Sequence, residues 1–396
     1  DSHGTAVAGL VAARDNNATG GAGVAPRATL VGYNALATGT TADIVDALNR
    51  ALDRNDVYNN SWGSPDDGML HAASDSFVTA ISNGISRGRN GKGAIYVFPG
   101  GNGGCYNPDD GSACVRENAN YDGYVNQLGI ITACATDSSG KQPPYGERGA
   151  NFLVCGPSSG DTIASKVRTT ALNNGYRADF TGTSASTPMV SGVAALVLAA
   201  NPELTWRDVR LILAHSARKN DTGDSEWSEA NGLHFNPKYG FGVADANAAV
   251  AAAATWPSVG GSSSLVSCGP YSAQPNAALP DPSGAQISPV SSSINATGCA
   301  ITRIEFIEVR FSATHSSSGD LRLRLTSPAG LVSELADART CYNGSRPAAC
   351  GNYSNVHFGS VRHLEEPVST AGSAAWTLQV TDMAALDIGR FDQWSI

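Results

Sequence analysis

The chain has 396 residues, 41% of them hydrophobic, which is enough for one large domain and a smaller one, each with its own core. Its 26 basic residues against 35 acidic ones give a formal net charge of -9, and no basic run stands out, so nothing supports a nucleic-acid role and a cationic substrate suits it better. No uncharged apolar stretch is expected to reach the roughly 18 residues that span a bilayer.

The opening Asp1-Ser2-His3-Gly4-Thr5 runs into the apolar segment Ala6 to Ala13, which predicts a helix with His3 at its head. The chain thus starts inside a motif and reads as a fragment of a longer protein. Ala28 to Tyr33 predicts a short strand, Thr41 to Leu52 a helix, Val57 to Trp62 a strand, Asp75 to Arg87 a helix and Gly93 to Pro99 a buried strand. Strands alternating with helices indicate a mostly parallel sheet covered on both faces.

That last strand ends in Gly100-Gly101-Asn102-Gly103-Gly104, where Asn102 is the one side chain. Further on, Gly182-Thr183-Ser184-Ala185-Ser186-Thr187-Pro188 is a small-residue turn that delivers Ser184 to a segment apolar on almost every side as far as Ala200. Pro188 fits the first turn of a helix, where its missing N–H has no partner to lose. Taken alone Ser184 reads as an N-cap. A histidine at one helix head, an asparagine in a glycine loop and a serine at a second helix head are together the parts of nucleophilic acyl transfer: a base, an oxyanion donor and a hydroxyl.

Leu204-Thr205-Trp206-Arg207-Asp208-Val209 is a capped helix start, and an Ala-rich helix ends near Trp256. From Pro257 to Ser293 the sequence turns Ser-, Pro- and Gly-rich, which marks a linker and the start of something different. Beyond Cys299, Ile304 to Phe311, Leu321 to Leu325 and Trp376 to Val380 alternate with period two, which predicts an all-β sandwich. Domains are therefore expected at 1–257 and 258–396. Eight cysteines fall in close sequential pairs (Cys105 with Cys114, Cys134 with Cys155, Cys268 with Cys299, Cys341 with Cys350), which suggests disulfides and a secreted or otherwise extracytoplasmic protein, with connectivity open. Asn-x-Ser/Thr sequons at Asn17, Asn220, Asn295, Asn343 and Asn352 are compatible with that.

His3-Gly4-Thr5-x-Val7-Ala8-Gly9, Asn60-Ser61-Trp62-Gly63, Gly101-Asn102-Gly103-Gly104 and Gly182-Thr183-Ser184-Ala185-Ser186-Thr187-Pro188 resemble the signature segments of the subtilisin-like serine proteases. Trp62-Gly63-x-x-Asp66-Asp67-Gly68, Asp122-Gly123-Tyr124 and the all-β segment bring the resemblance closer to the kexin and furin branch, the proprotein convertases, in which a β-sandwich P domain follows an α/β catalytic domain. The resemblance covers essentially the whole chain. It implies a serine endopeptidase cutting after arginine or lysine, with Ser184 as nucleophile, His3 as general base and Asn102 as oxyanion donor. The backbone of Ser61, Trp62 and Gly63 would pair with substrate as an added strand. Asp66 and Asp122 would line the pocket for the basic residue, and Asp46 would read a basic residue further upstream; Ala72 stands where furin-like enzymes have another acid, so selectivity beyond the basic pair is looser.

The same resemblance implies structural calcium, with Asp66, Asp110 and Glu147 as ligands of one ion, the choice between Asp109 and Asp110 being open, and Asn17 in the loop of a second. Peptide or protein substrates with basic residues, a propeptide or chaperone, and a monomeric state go with it, and the P domain would stabilise the catalytic domain. In this family the triad runs Asp, His, Ser along the chain. With histidine at position 3 the acid is expected upstream of the sequence, which would leave this piece poorly active. The competing expectation is a non-catalytic pseudoprotease or binding protein; an α/β-hydrolase esterase needs Gly-x-Ser-x-Gly, and residue 186 is Ser.

Overall fold

Short helices alternating with strands of unbroken apolar character become a parallel sheet in a computed structural model, which describes residues 2–104, 116–160, 166–282, 287–344 and 346–396. Helix α1 (Ser2–Ala12) leads, and α2 (Thr41–Asn49) and α3 (Asp75–Arg87) flank strand β1 (Val57–Asn59). Both flanking helices start at a hydroxyl that accepts an otherwise orphaned amide: Thr40 from Asp43 N and Ser74 from Phe77 N. Strands β2 (Ile95–Pro99), β3 (Ile130–Thr136) and β4 (Phe152–Pro157) complete the order β1-β2-β3-β4, every neighbouring pair parallel. β2 and β3 are buried at every position, as strands covered on both faces must be.

Hairpin β5 (Val167–Thr170) and β6 (Tyr176–Phe180) leads into α4 (Thr183–Ala200), which packs on all four strands of the sheet and on α1. By length and composition α4 could cross a membrane, which corrects the expectation that no such stretch exists. With 67% of it buried inside the domain, it is a core helix. Then follow α5 (Trp206–Ser216), opened by the capping box of Thr205 and Asp208, the hairpin β7 (Ser228–Ala230) and β8 (Leu233–Phe235), and α6 (Ala246–Ala253).

The remainder is built of strands: β9 (Ser272–Ala273), β10 (Ala277–Leu279), β11 (Val290–Asn295), β12 (Ile307–His315), β13 (Leu321–Thr326), β14 (Val332–Ala336), β15 (Cys341–Asn343), β16 (Arg346–Ala348), β17 (Tyr353–Ser360), β18 (Ala375–Asp382) and β19 (Gly389–Ser395). One sheet runs β10-β19-β12-β17 with β9 beside β19, and the other runs β11-β18-β13-β14. Alternate residues of β12 and β13 point inward, so Val309, Phe311, Leu321, Leu323 and Leu325 are fully buried beside Trp376 and Leu378. Each such side chain contributes about 1.5–3 kcal/mol relative to exposure. The two cores exchange members: Tyr121 and Ala150 pack into the sandwich core, while Val361 and Leu364 pack into the core of the parallel sheet.

One expectation fails here. Ala28 to Tyr33 forms no strand, because no neighbour pairs with it among the described residues, and Leu30 and Val31 stay 51% and 59% exposed. The stretch Pro257 to Ser293 holds β9, β10 and the start of β11; runs of two or three residues are too short to show a period in the sequence. Disulfides join Cys134 to Cys155, Cys268 to Cys299 and Cys341 to Cys350. Cys105 and Cys114 lie outside the described residues.

Candidate active site

Ser184 is held at the start of α4 by a turn that only glycine follows without strain. Gly182, the N-cap, has φ 81° and ψ 175° and supplies no side-chain cap. Ser184 is therefore the second helical residue and not the cap. Among the described residues its Oγ makes one hydrogen-bond contact, a long 3.5 Å one to Ser61 O, while Ser61 Oγ donates to Ser184 O at 3.2 Å. Its backbone N–H lies in the first turn, where amides have no intrahelical acceptor, so it can donate to a ligand.

Asn102 completes this corner. Its Oδ1 accepts from Thr183 N at 2.8 Å and from Thr183 Oγ1 at 3.0 Å, an arrangement that ties down the acceptor and leaves the amide nitrogen as the donor. His3 sits in the first turn of α1, whose Ala6, Val7 and Leu10 pack with Phe180 and Ala185. The imidazole meets the Phe180 ring edge-on at 5.3 Å, beside the segment that delivers Ser184. Loss of water against its neighbours, with Arg177 adding its charge, lowers the His3 pKa below the ordinary value, which favours the neutral, proton-accepting form.

Around the Gly101–Gly103 turn stands a group of acids. Asp66 Oδ1 accepts from Asn102 N at 3.3 Å, Glu147 Oε1 from Gly103 N at 3.0 Å and Glu117 Oε2 from Gly68 N at 2.8 Å. Asp122 is held by Ser64 N at 2.9 Å, Ser64 Oγ at 2.9 Å and Tyr124 N at 2.8 Å. Burial raises the pKa of all four, and they also repel one another: Glu147 feels Glu117, Asp66 and Asp122, and Asp66 feels Asp122. Glu117 is pushed up to about 8. Such a recess stabilises a cation, whether a guanidinium or a metal.

Among the described residues no three His, Cys, Asp or Glu side chains already converge as a metal cage. The donor chemistry nonetheless fits calcium: Asp66, Glu117 and Glu147 are hard oxygen donors, and their raised pKa values mark negative charge in want of a cation. Asp110 lies outside the described residues. Asn17 is exposed, and its Oδ1 accepts from Thr19 N at 3.1 Å in a local turn.

Of the other expected contacts, Trp62 packs edge-on against Phe98 and Tyr124 at 5.1 and 5.3 Å, which fixes the Ser61–Gly63 segment just beyond β1, at the edge of the parallel sheet. Asp46 instead sits exposed on α2 and pairs with Arg50 one turn on. Glu117, Ser64 and Thr183 were not anticipated. Glu117 follows a cysteine-bounded stretch of sequence with no periodicity, and its closeness to the other acids is what marks it.

Fold and site together define a subtilisin-like α/β domain joined to a β-sandwich. Residues 1–242 match the subtilase family and residues 304–396 the proprotein convertase P-domain. Kexin of Candida albicans is 33% identical over 96% of this chain and 40% of its own length. The dibasic-processing endoprotease of Schizosaccharomyces pombe is 33% identical over 100% and 54%, and proprotein convertase subtilisin/kexin type 5 of Homo sapiens 32% over 100% and 20%. A crystal structure of the serine protease of Aeromonas sobria shares the fold with a TM-score of 0.81 and 24% identity, covering 100% of this chain and 80% of that one; the same protease in complex with its chaperone gives 0.80. The chain belongs to the subtilase family, in its kexin and proprotein convertase branch. It spans 20% to 54% of the length of these curated relatives.

Proposed function

We propose that the protein is a serine endopeptidase that cleaves peptide bonds after arginine or lysine. The observation that carries this is the group of four acids, buried Glu117 and Glu147, half-buried Asp122 and the more exposed Asp66, set beside Asn102 and the Ser184 turn. In this role Ser184 Oγ attacks the scissile carbonyl, and His3 takes the hydroxyl proton and returns it to the leaving amine. The charge developing on the carbonyl oxygen is received by the Asn102 amide and the Ser184 backbone N–H. Asp122 and Asp66 hold the basic side chain, and Ser61 to Gly63 align the substrate backbone at the sheet edge.

Calcium, when bound, would neutralise the acids beside the pocket, with Asp66, Glu117 and Glu147 as its holders in the described residues and Asp110 a further candidate. Domains divided near residue 257, an oxidising compartment outside the cytoplasm, supported by three disulfides, and a propeptide or chaperone partner belong to the same proposal. Asp122→Asn in the full-length protein should weaken discrimination between arginine and leucine before the cut by on the order of tenfold or more, because a buried charge pair loses one partner. An unchanged preference, measured as the ratio of kcat/KM values, would place the pocket elsewhere, and a wild type that cleaves neither peptide would favour a non-catalytic role.

A further inference from the structure

Arg339 belongs to the P-domain match, between β14 and β15, yet its side chain reaches across to the residues of the subtilase match. Its Nε donates to Gly68 O at 2.5 Å, its Nη1 donates to Tyr353 OH at 2.8 Å, and its guanidinium carbon lies 4.2 Å from the centre of the Tyr121 ring. The residue is 6% exposed. The contact is reinforced on both sides. Tyr342 N donates to Asp67 O at 2.8 Å, and Tyr121 OH donates to Asp337 O at 2.8 Å.

Gly68 is shaped to receive it. Its φ is 77°, and a Cβ there would stand 2.4 Å from Thr340 O, so a side chain would drive the two domains apart. The amide of the same residue leads inward: Gly68 N donates to Glu117 Oε2, Glu117 and Asp66 both stand against Gly103, and Asp66 accepts from Asn102 N. Asn102 in turn holds Thr183, the neighbour of Ser184. A continuous line of packed and hydrogen-bonded groups thus runs from the β-sandwich through the acidic recess to the nucleophile's turn. A buried guanidinium is costly to desolvate and stays only where its bonds offset that cost. Here the bond into the catalytic domain is made to the loop that carries Asp66.

We propose that Arg339 is a positioning residue for the basic-residue pocket: by clamping Gly68 it fixes the Asp66–Gly68 loop and, through Glu117, the placement of the acids that hold the substrate's cationic side chain. The proposal rests on the pocket assigned above. It gives the P domain a part in substrate affinity besides its part in stability.

The test uses the full-length protein, its active fraction counted by a covalent serine-directed inhibitor, with p-aminobenzamidine as the cationic probe. Arg339→Met should weaken probe binding and raise KM for an arginine peptide about tenfold, with kcat per active site changed less than about twofold; Arg339→Lys, which keeps the charge, should recover part of the loss. Tyr353→Phe, which removes one partner of the guanidinium and little volume, should move KM the same way by a smaller factor and covers the case in which Arg339→Met does not fold. Unchanged affinity and KM in the folded variants, with only a lower Tm, would reduce Arg339 to a domain-joint residue and overturn the proposal alone. A wild type that binds no probe would remove the pocket itself, and the proposal with it.

Discussion

The β-sandwich holds a serine, a histidine and a carboxylate in a tighter line than the corner proposed for catalysis. Ser333 Oγ lies 3.0 Å from His363 Nε2, and His363 Nδ1 lies 2.7 Å from Glu366 Oε2, the order in which a catalytic triad is wired. All three are at most 1% exposed, and their remaining capacity is spent inside the fold: Ser333 meets Ser360 Oγ at 2.6 Å, and Ser327 donates to Glu366. No substrate carbonyl can reach that hydroxyl. Ser184 has the opposite character, with a long 3.5 Å contact, partial exposure and a position on a helix's first turn beside an amide donor and a cationic recess. Good hydrogen bonds mark a finished structural network. A catalytic corner keeps capacity in reserve for a ligand.

Several substitutions would break or sharpen this contrast. Asn102→Ala should lower kcat by about 10²–10³-fold, the usual cost of an oxyanion donor. A fall of only a few-fold at intact KM would show that the amide faces no developing charge. His363→Leu should act in the other currency, costing about 1–3 kcal/mol for each buried group left unpaired, while kcat per folded molecule stays put. Reduced turnover at unchanged Tm would turn the buried line into a functional one.

Acidity separates the regions more gently. Loss of water lowers the pKa of both His357, pushed down to about 4, and His363, so the unfolded chain takes up protons first. The His357 contribution is full above about pH 6.5 and is lost as pH falls towards 4, and that of His363 has the same sign. Glu117 has the reverse sign: with its pKa raised from 4.5 to about 8, the calcium-free protein loses stability as pH rises through that window. Chelation should therefore destabilise the fold, read as a lower Tm, more at pH 8 than at pH 5, the loss of stability reaching up to about 3 kcal/mol where calcium stood at a hundred times its Kd. An equal effect at both pH values would contradict the placing of the ion among these acids.

The parts legible in the sequence are those fixed by local rules. Helix α3 begins and ends where its Asp75 and Arg87 predict, the period-two segments become sandwich strands, and three close cysteine pairs are bonded. The small-residue turn at Gly182 announces Ser184 without revealing that the glycine, and not the serine, is the cap. What stayed hidden depends on distant partners. A strand at Ala28 to Tyr33 needs a neighbour, β9 and β10 are too short to carry a pattern, and Arg339 meets Gly68 across 271 residues of sequence.

The central claim, that the exposed corner and not the buried line supplies the nucleophile, is tested most directly by labelling the full-length protein with a fluorophosphonate and mapping the adduct by peptide mass spectrometry. The account predicts modification at Ser184, lost in Ser184→Ala and retained in Ser333→Ala. An adduct on another serine, or labelling that survives Ser184→Ala, would contradict it.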